Sequence, residues 1–180
     1  MEWIQRIQAG DGEAFQALYD QYKNLVYRTA FLMLGQAAEA EDALQEVFLK
    51  VYRSLGSYDP RKGAFSTWLY RITANHCINV HRAAEPEPLP IEAAEGDLPV
   101  EVALDVDSLE SALDALSTRL RAVIVLRYYA DLSYAEIGEA LDLPLGTVKS
   151  RLNAALEALR RGLRGPSAEV SPARREEVRS

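Results

Sequence analysis

The residues best equipped to do chemistry lie in one stretch, Ser133 to Arg161. Val148, Leu152, Ala155 and Leu159 recur at helical spacing and define an apolar face. Ser150 and Asn153 point away from that face, and Lys149 and Arg151 flank it. Cations neutralise phosphates, while hydroxyls and amides bond phosphate oxygens or base edges, so this polar set suits a nucleic acid duplex. Other chemistry finds less support. His76, Cys77 and His81 invite a metal. Their spacing does not put all three on one helix face, and Cys77 is the only cysteine, so they read as ordinary helix residues. There is no Ser/His/Asp set and no phosphate-cradling glycine loop. Neither an enzyme, a cofactor nor a metal site is expected.

Two helices must position the polar set. Ser133 and Glu136 form a Ser-x-x-Glu capping box, followed by Tyr134, Ile137 and Leu141 as a buried stripe. Asp142-Leu143-Pro144 breaks this helix, because proline cannot donate to the ladder and restricts the residue before it. The second helix then carries the polar face, the pattern of a helix-turn-helix whose second helix enters the major groove. An ordinary antiparallel helix pair with a solvated face fits the spacing too.

Charge distribution bears on the choice. The 180 residues carry a net charge of −7, which argues against a nucleic-acid binder. The acidity is local, however. Residues 83–118 hold ten Asp/Glu and no Lys/Arg, while 119–164 hold eight basic and five acidic residues, a local +3. That charge predicts weak autonomous DNA binding, since affinity follows the phosphates neutralised. No apolar run reaches membrane-spanning length, and the N-terminus lacks the basic and apolar regions of a signal peptide. A cytoplasmic protein with no direct membrane insertion is expected, and the single cysteine agrees with that.

Upstream, helical periodicity continues. A short helix over Trp3, Ile4 and Ile7 ends near Gly10. Asp11 is the candidate N-cap of a helix from about Glu13 to Leu34, closed by Gly35. A third helix is expected from about Ala38 to Leu55, with Gly56 as its C′ residue. Asp59-Pro60 and Gly63 mark a loop before a fourth helix from Ser66 to Arg82. No strand-period alternation is visible, so the fold class is all-α.

Three motifs in order carry a family resemblance. They are Glu41-Asp42-Ala43-Leu44-Gln45-Glu46-Val47-Phe48-Leu49-Lys50-Val51-Tyr52, then Phe65-Ser66-Thr67-Trp68-Leu69-Tyr70-Arg71-Ile72 with Asn75, then Gly146-Thr147-Val148-Lys149-Ser150-Arg151-Leu152. Residues 13 to 163 resemble bacterial RNA polymerase sigma factors of the sigma-70 family, extracytoplasmic-function (ECF) class. The resemblance implies that Asp42, Gln45, Glu46, Leu49 and Lys50 dock on core polymerase at the β′ clamp helices. It implies that Arg61, Lys62, Phe65, Thr67, Trp68, Arg71, Asn75 and Arg82 take the separated −10 strand. The cations and rings among them suit a single strand, phosphates on the former and bases on the latter. Ser133, Tyr134, Thr147, Lys149, Ser150, Arg151 and Asn153 would read the −35 duplex, with the β flap as a second polymerase contact. An anti-sigma factor is implied as a further partner. Asn79 stands where relatives often carry an acid, and Arg82 alone follows as a basic residue.

The expected organisation is 1–83 as region 2, 84–106 as an extended acidic linker, 107–164 as region 4 and 165–180 as a disordered tail. Five prolines and glycines of the linker (Pro86, Pro88, Pro90, Pro99, Gly96) exclude a long helix. Its carboxylates would suit a basic polymerase channel. In the second domain, Leu109, Ala112, Leu113 and Leu116 form a helix face and Ser117 caps the next helix. The expected function is promoter-specific initiation of transcription. The alternatives are a stand-alone helix-turn-helix regulator and a decoy that sequesters an anti-sigma factor.

Overall fold

Capping chemistry sets where the first helices start and stop. The computed structural model describes residues 2–81 and 111–164. Helix α1 (Glu2–Gln8) leads through Gly10, at φ 88°, to Asp11. The Asp11 carboxylate accepts the Ala14 N–H at 3.0 Å and opens α2 (Gly12–Leu34). Gly35 ends α2 in the left-handed region at φ 77°, its N–H donating to the Phe31 carbonyl at 2.8 Å.

Helix α3 (Ala37–Ser54) runs into a 3-10 turn, Leu55–Ser57, and α4 (Phe65–His81) follows the loop. Gly56 is not the left-handed C′ residue expected of it. Leu55 stays right-handed and buried, so the chain tightens into the 3-10 turn instead. Gly56 provides room: a Cβ there would lie 2.7 Å from the Gln8 side-chain nitrogen.

In the second half, residues 111–114 are helical, and the Ser117 hydroxyl accepts the Leu120 N–H at 3.4 Å. Helix α5 (Thr118–Ile124) continues as a π-helical stretch, Val125–Tyr129, in which the Ala130 N–H reaches the Val125 carbonyl at 3.0 Å. Then come α6 (Tyr134–Leu141) and α7 (Leu145–Arg164), the two helices of the helix-turn-helix. Among the described residues every regular element is helical.

Two cores hold this arrangement. Ile7, Leu18, Val26, Val47, Val51, Leu55, Phe65 and Leu69 fill the first, between α1, α2, α3 and α4. The second crosses between the halves. It joins Ala30, Met33, Ala40, Ala43, Ala74 and Cys77 to Leu116, Val123, Leu126, Ile137, Val148, Leu152 and Ala155. Each large aliphatic side chain so buried contributes roughly 1.5–3 kcal/mol relative to exposure. The seam is also bonded. His81 bridges the Glu39 carboxylate (3.0 Å) and the Thr118 hydroxyl (2.9 Å). Gly35 meets the Asp114–Arg121 ion pair so closely that a Cβ would fall 2.7 Å from the Asp114 carboxylate and 3.0 Å from the Arg121 guanidinium. The acidic linker 84–106, Leu109 and the tail 165–180 lie outside the described residues.

Candidate nucleic-acid interface

The duplex-reading candidates sit on a helix pair pinned at its start. Ser133 accepts the Glu136 N–H at 3.3 Å, and Glu136 returns to accept the Ser133 N–H at 2.8 Å. The Glu136 carboxyl also accepts the Ser133 hydroxyl at 2.7 Å. Its pKa is held below the ordinary carboxylate value, first by the Ser133 N–H and then by the hydroxyl. Ser133 therefore acts through the cap. Arg127 braces the same corner. It donates to the Leu132 carbonyl at 3.1 Å and its guanidinium lies 5.5 Å from the centre of the Tyr134 ring. Arg127 lies within the π-helical stretch, which shifts the phase that plain helical spacing would assign and hid this contact.

Asp142 turns the chain at φ 53°, and α7 starts after Pro144, whose carbonyl accepts the Thr147 and Val148 N–H groups. Val148, Leu152, Ala155 and Leu159 are buried as the spacing requires. Lys149 is exposed, and Thr147, Ser150, Arg151 and Asn153 are half-buried. The Ser150 hydroxyl donates to the Thr147 carbonyl at 3.0 Å, so its proton is spent within the helix and its lone pairs remain.

The strand-binding candidates divide. Arg61, Lys62 and Arg71 are exposed, and Thr67 and Trp68 are half-buried. Arg61 is held by Asp59 through two side-chain hydrogen bonds, at 3.0 and 2.9 Å. That guanidinium, chiefly, and then the Arg61 N–H lower the Asp59 carboxyl to about 2. Phe65, expected among the strand contacts, takes a core position. It is buried, and its ring is surrounded by Trp3, Tyr22, Tyr58 and Trp68 at centroid distances of 5.0–5.3 Å. Its helical phase points it into the first core, where it packs against Trp68. Asn75 donates to the Ala140 carbonyl of α6 at 2.9 Å, a partner 65 residues away that no local pattern announces. Arg82 lies outside the described residues.

On α3, Asp42, Gln45, Glu46, Leu49 and Lys50 share an exposed face. Leu49 is 48% exposed and Tyr52, one turn on, 51%. Tyr52, outside the expected docking set, lies three residues from Leu49 on the same helix. Lys50 bonds His76 Nδ1 at 2.8 Å. Burial, and then the Lys50 charge, lower the His76 pKa, which favours a neutral ring that accepts from the ammonium. His76, Cys77 and His81 diverge: towards Lys50, into the second core, and towards Glu39 and Thr118.

No helix of the described residues is long and apolar enough to cross a membrane. The Sigma-70 region 2 family model matches residues 18–86, and the Sigma-70, region 4 model matches 112–161. The chain is 37% identical over 178 residues to the ECF RNA polymerase sigma factor SigW of Bacillus subtilis (strain 168), covering 89% of this chain and 95% of that one. It is 33% identical over 180 residues to the RNA polymerase sigma-H factor of Pseudomonas aeruginosa, covering 89% and 91%. In fold it resembles the sigma factor RpoE from Bartonella quintana, solved with the anti-sigma factor NepR. That match has a TM-score of 0.63 at 22% identity, over 84% of this chain and 98% of the other. CnrH, solved with the cytosolic domain of CnrY, gives a TM-score of 0.63 at 23% identity, over 92% and 97%. With both region models matched in order, and relatives this similar matched over nearly their whole length, the chain belongs to the ECF class of sigma-70 family RNA polymerase sigma factors.

Proposed function

We propose that the chain is a cytoplasmic promoter-specificity subunit that docks on core RNA polymerase through the outer face of α3. The loop before α4 and the start of α4 take the −10 strand through exposed Arg61, Lys62 and Arg71 and half-buried Thr67 and Trp68. Helix α7 reads the −35 duplex with Thr147, Lys149, Ser150, Arg151 and Asn153, while Ser133 and Tyr134 set its entry. Residues 1–83 form the first functional unit and 107–164 the second. The subunit breaks no covalent bond itself, and an anti-sigma factor is its regulatory partner.

One observation carries the docking assignment: Leu49 and Tyr52 stand about half exposed amid Asp42, Gln45 and Glu46. Apolar side chains ringed by polar groups suit a surface that a partner covers. Co-elution with purified core polymerase tests it. The wild-type chain is expected to co-elute and Leu49→Asp to lose most of that binding while remaining helical by circular dichroism. Undiminished binding of Leu49→Asp would contradict the assignment.

A further inference from the structure

Helix α1 lies ahead of every residue assigned a role above, yet it reaches both ends of the loop before α4. At the near end the Gln8 amide sits against Gly56, where a Cβ would fall 2.7 Å from its nitrogen. At the far end the Trp3 ring meets Phe65 edge-on, with centroids 5.1 Å apart and planes at 85°. Between these anchors the loop is closed on itself. The Tyr58 hydroxyl donates to the Gly63 carbonyl at 3.1 Å, and the Lys62 N–H donates to the Asp59 carbonyl at 3.0 Å. A ring cluster ties the loop to the body. Tyr58 and Trp68 lie 5.2 and 5.3 Å from Phe65 and 5.6 Å from each other. Both line the same cleft as Lys62 and Arg71. Packed rings thus run without a break from α1 to the cleft.

Within α1 the work is divided. Ile4 and Ile7 are buried in the first core and hold the helix to its neighbours. They have to, because a helix of 7 residues does not persist alone. Trp3 is half-buried at the edge of that core. Edge-to-face rings fix a preferred geometry as well as burying area. Such a restraint matters for Trp68, since a ring that must be ordered before a base stacks on it loses part of the affinity gained. Resting on the reading of this loop and α4 as the strand-capturing surface, we propose that Trp3 is a positioning residue for it. Acting through Phe65, Trp3 seats Tyr58 and Trp68 where an unpaired base would stack. Core docking is separate, because Leu49 and Tyr52 stand on the outer face of α3, where Tyr52 meets the Phe15 ring. Loss of the Trp3 ring should therefore impair promoter opening and spare core binding.

Trp3 and Trp68 are the only tryptophans, so a substitution at position 3 leaves Trp68 as the sole indole. Acrylamide quenching of Trp68 in the free chain then reads its seat directly. Trp3→Phe keeps a ring on Phe65 and should leave Trp68 shielded, whereas Trp3→Ala should raise its quenching. Val51→Ala in the Trp3→Phe background removes volume from the same core but no ring; it should lower stability without raising quenching. Run-off transcription by holoenzyme from the DNA upstream of the chain's own coding sequence reads the consequence. At equal core occupancy, Trp3→Ala should give about tenfold less transcript than wild type, and Trp3→Phe should restore most of it. If Trp3→Ala is not helical by circular dichroism, Trp3→Gln, a good helix former without a ring, takes its place. Equal quenching in Trp3→Phe and Trp3→Ala, or an equal rise with Val51→Ala, would overturn the proposal. So would a full transcript yield from Trp3→Ala where Trp68→Ala is defective. Raised quenching in Trp3→Ala, with an undiminished transcript from Trp68→Ala, upholds the seat that Trp3 provides and sinks the strand-capturing reading instead.

Discussion

Ser133 and Glu136 show how far a single cap carries. The carboxyl of Glu136 sits below its ordinary 4.5 because the Ser133 N–H and hydroxyl favour the anion. A depressed folded pKa contributes stability above the unfolded value and loses it as pH falls through the folded one. Glu136→Gln should therefore be less stable than wild type at neutral pH, with the deficit fading in strong acid. Urea unfolding across that range checks this, and a deficit of constant size would refute it. Lys149 answers a different question. Lys149 is an exposed cation on the face proposed to read the duplex, so Lys149→Ala should weaken holoenzyme binding to all promoters alike and reduce the salt slope by about one. Filter binding over a salt series measures both. The cap residues were legible because capping depends on neighbours within one helical turn. Phe65 and Asn75 were not, since their partners Trp3, Tyr22 and Ala140 are distant in sequence.

Elements were legible to the extent that their ends are chemically marked. Asp11, Gly35, Ser117, Ser133 and Asp142 all stop or start helices where sequence places them. The π-helical Val125–Tyr129 carries no such mark, because inserting one residue into a helical turn is decided by packing. Nor did the third helix end as expected, since burial of Leu55 decided the course of the chain at Gly56. Packing of α7 beneath its polar face sets the direction of Lys149 and Arg151. Leu152 is 3% exposed in that contact. Leu152→Ala should cost about 2–5 kcal/mol in chemical unfolding. It should also weaken −35 recognition in holoenzyme more than it weakens core binding; equal losses in both would argue that α7 plays no part in reading the duplex.

Across the whole molecule, charge and packing act in opposite directions. The net charge of −7 and the local +3 of residues 119–164 leave the free chain a poor DNA binder, so recognition must draw on a larger partner. The helical class and the order of the two regions could be read from periodicity and motifs. The shared core between the halves could not, because Met33, Ala74, Leu126 and Ile137 read equally well as interior residues of separate domains. The central claim, that this chain confers promoter choice on polymerase, is met most directly by run-off transcription from the DNA upstream of its own coding sequence. Core polymerase and this protein together should give a discrete transcript that neither gives alone. A transcript of unchanged position and yield without the protein, or tight duplex binding by the free chain with no transcript, would contradict it.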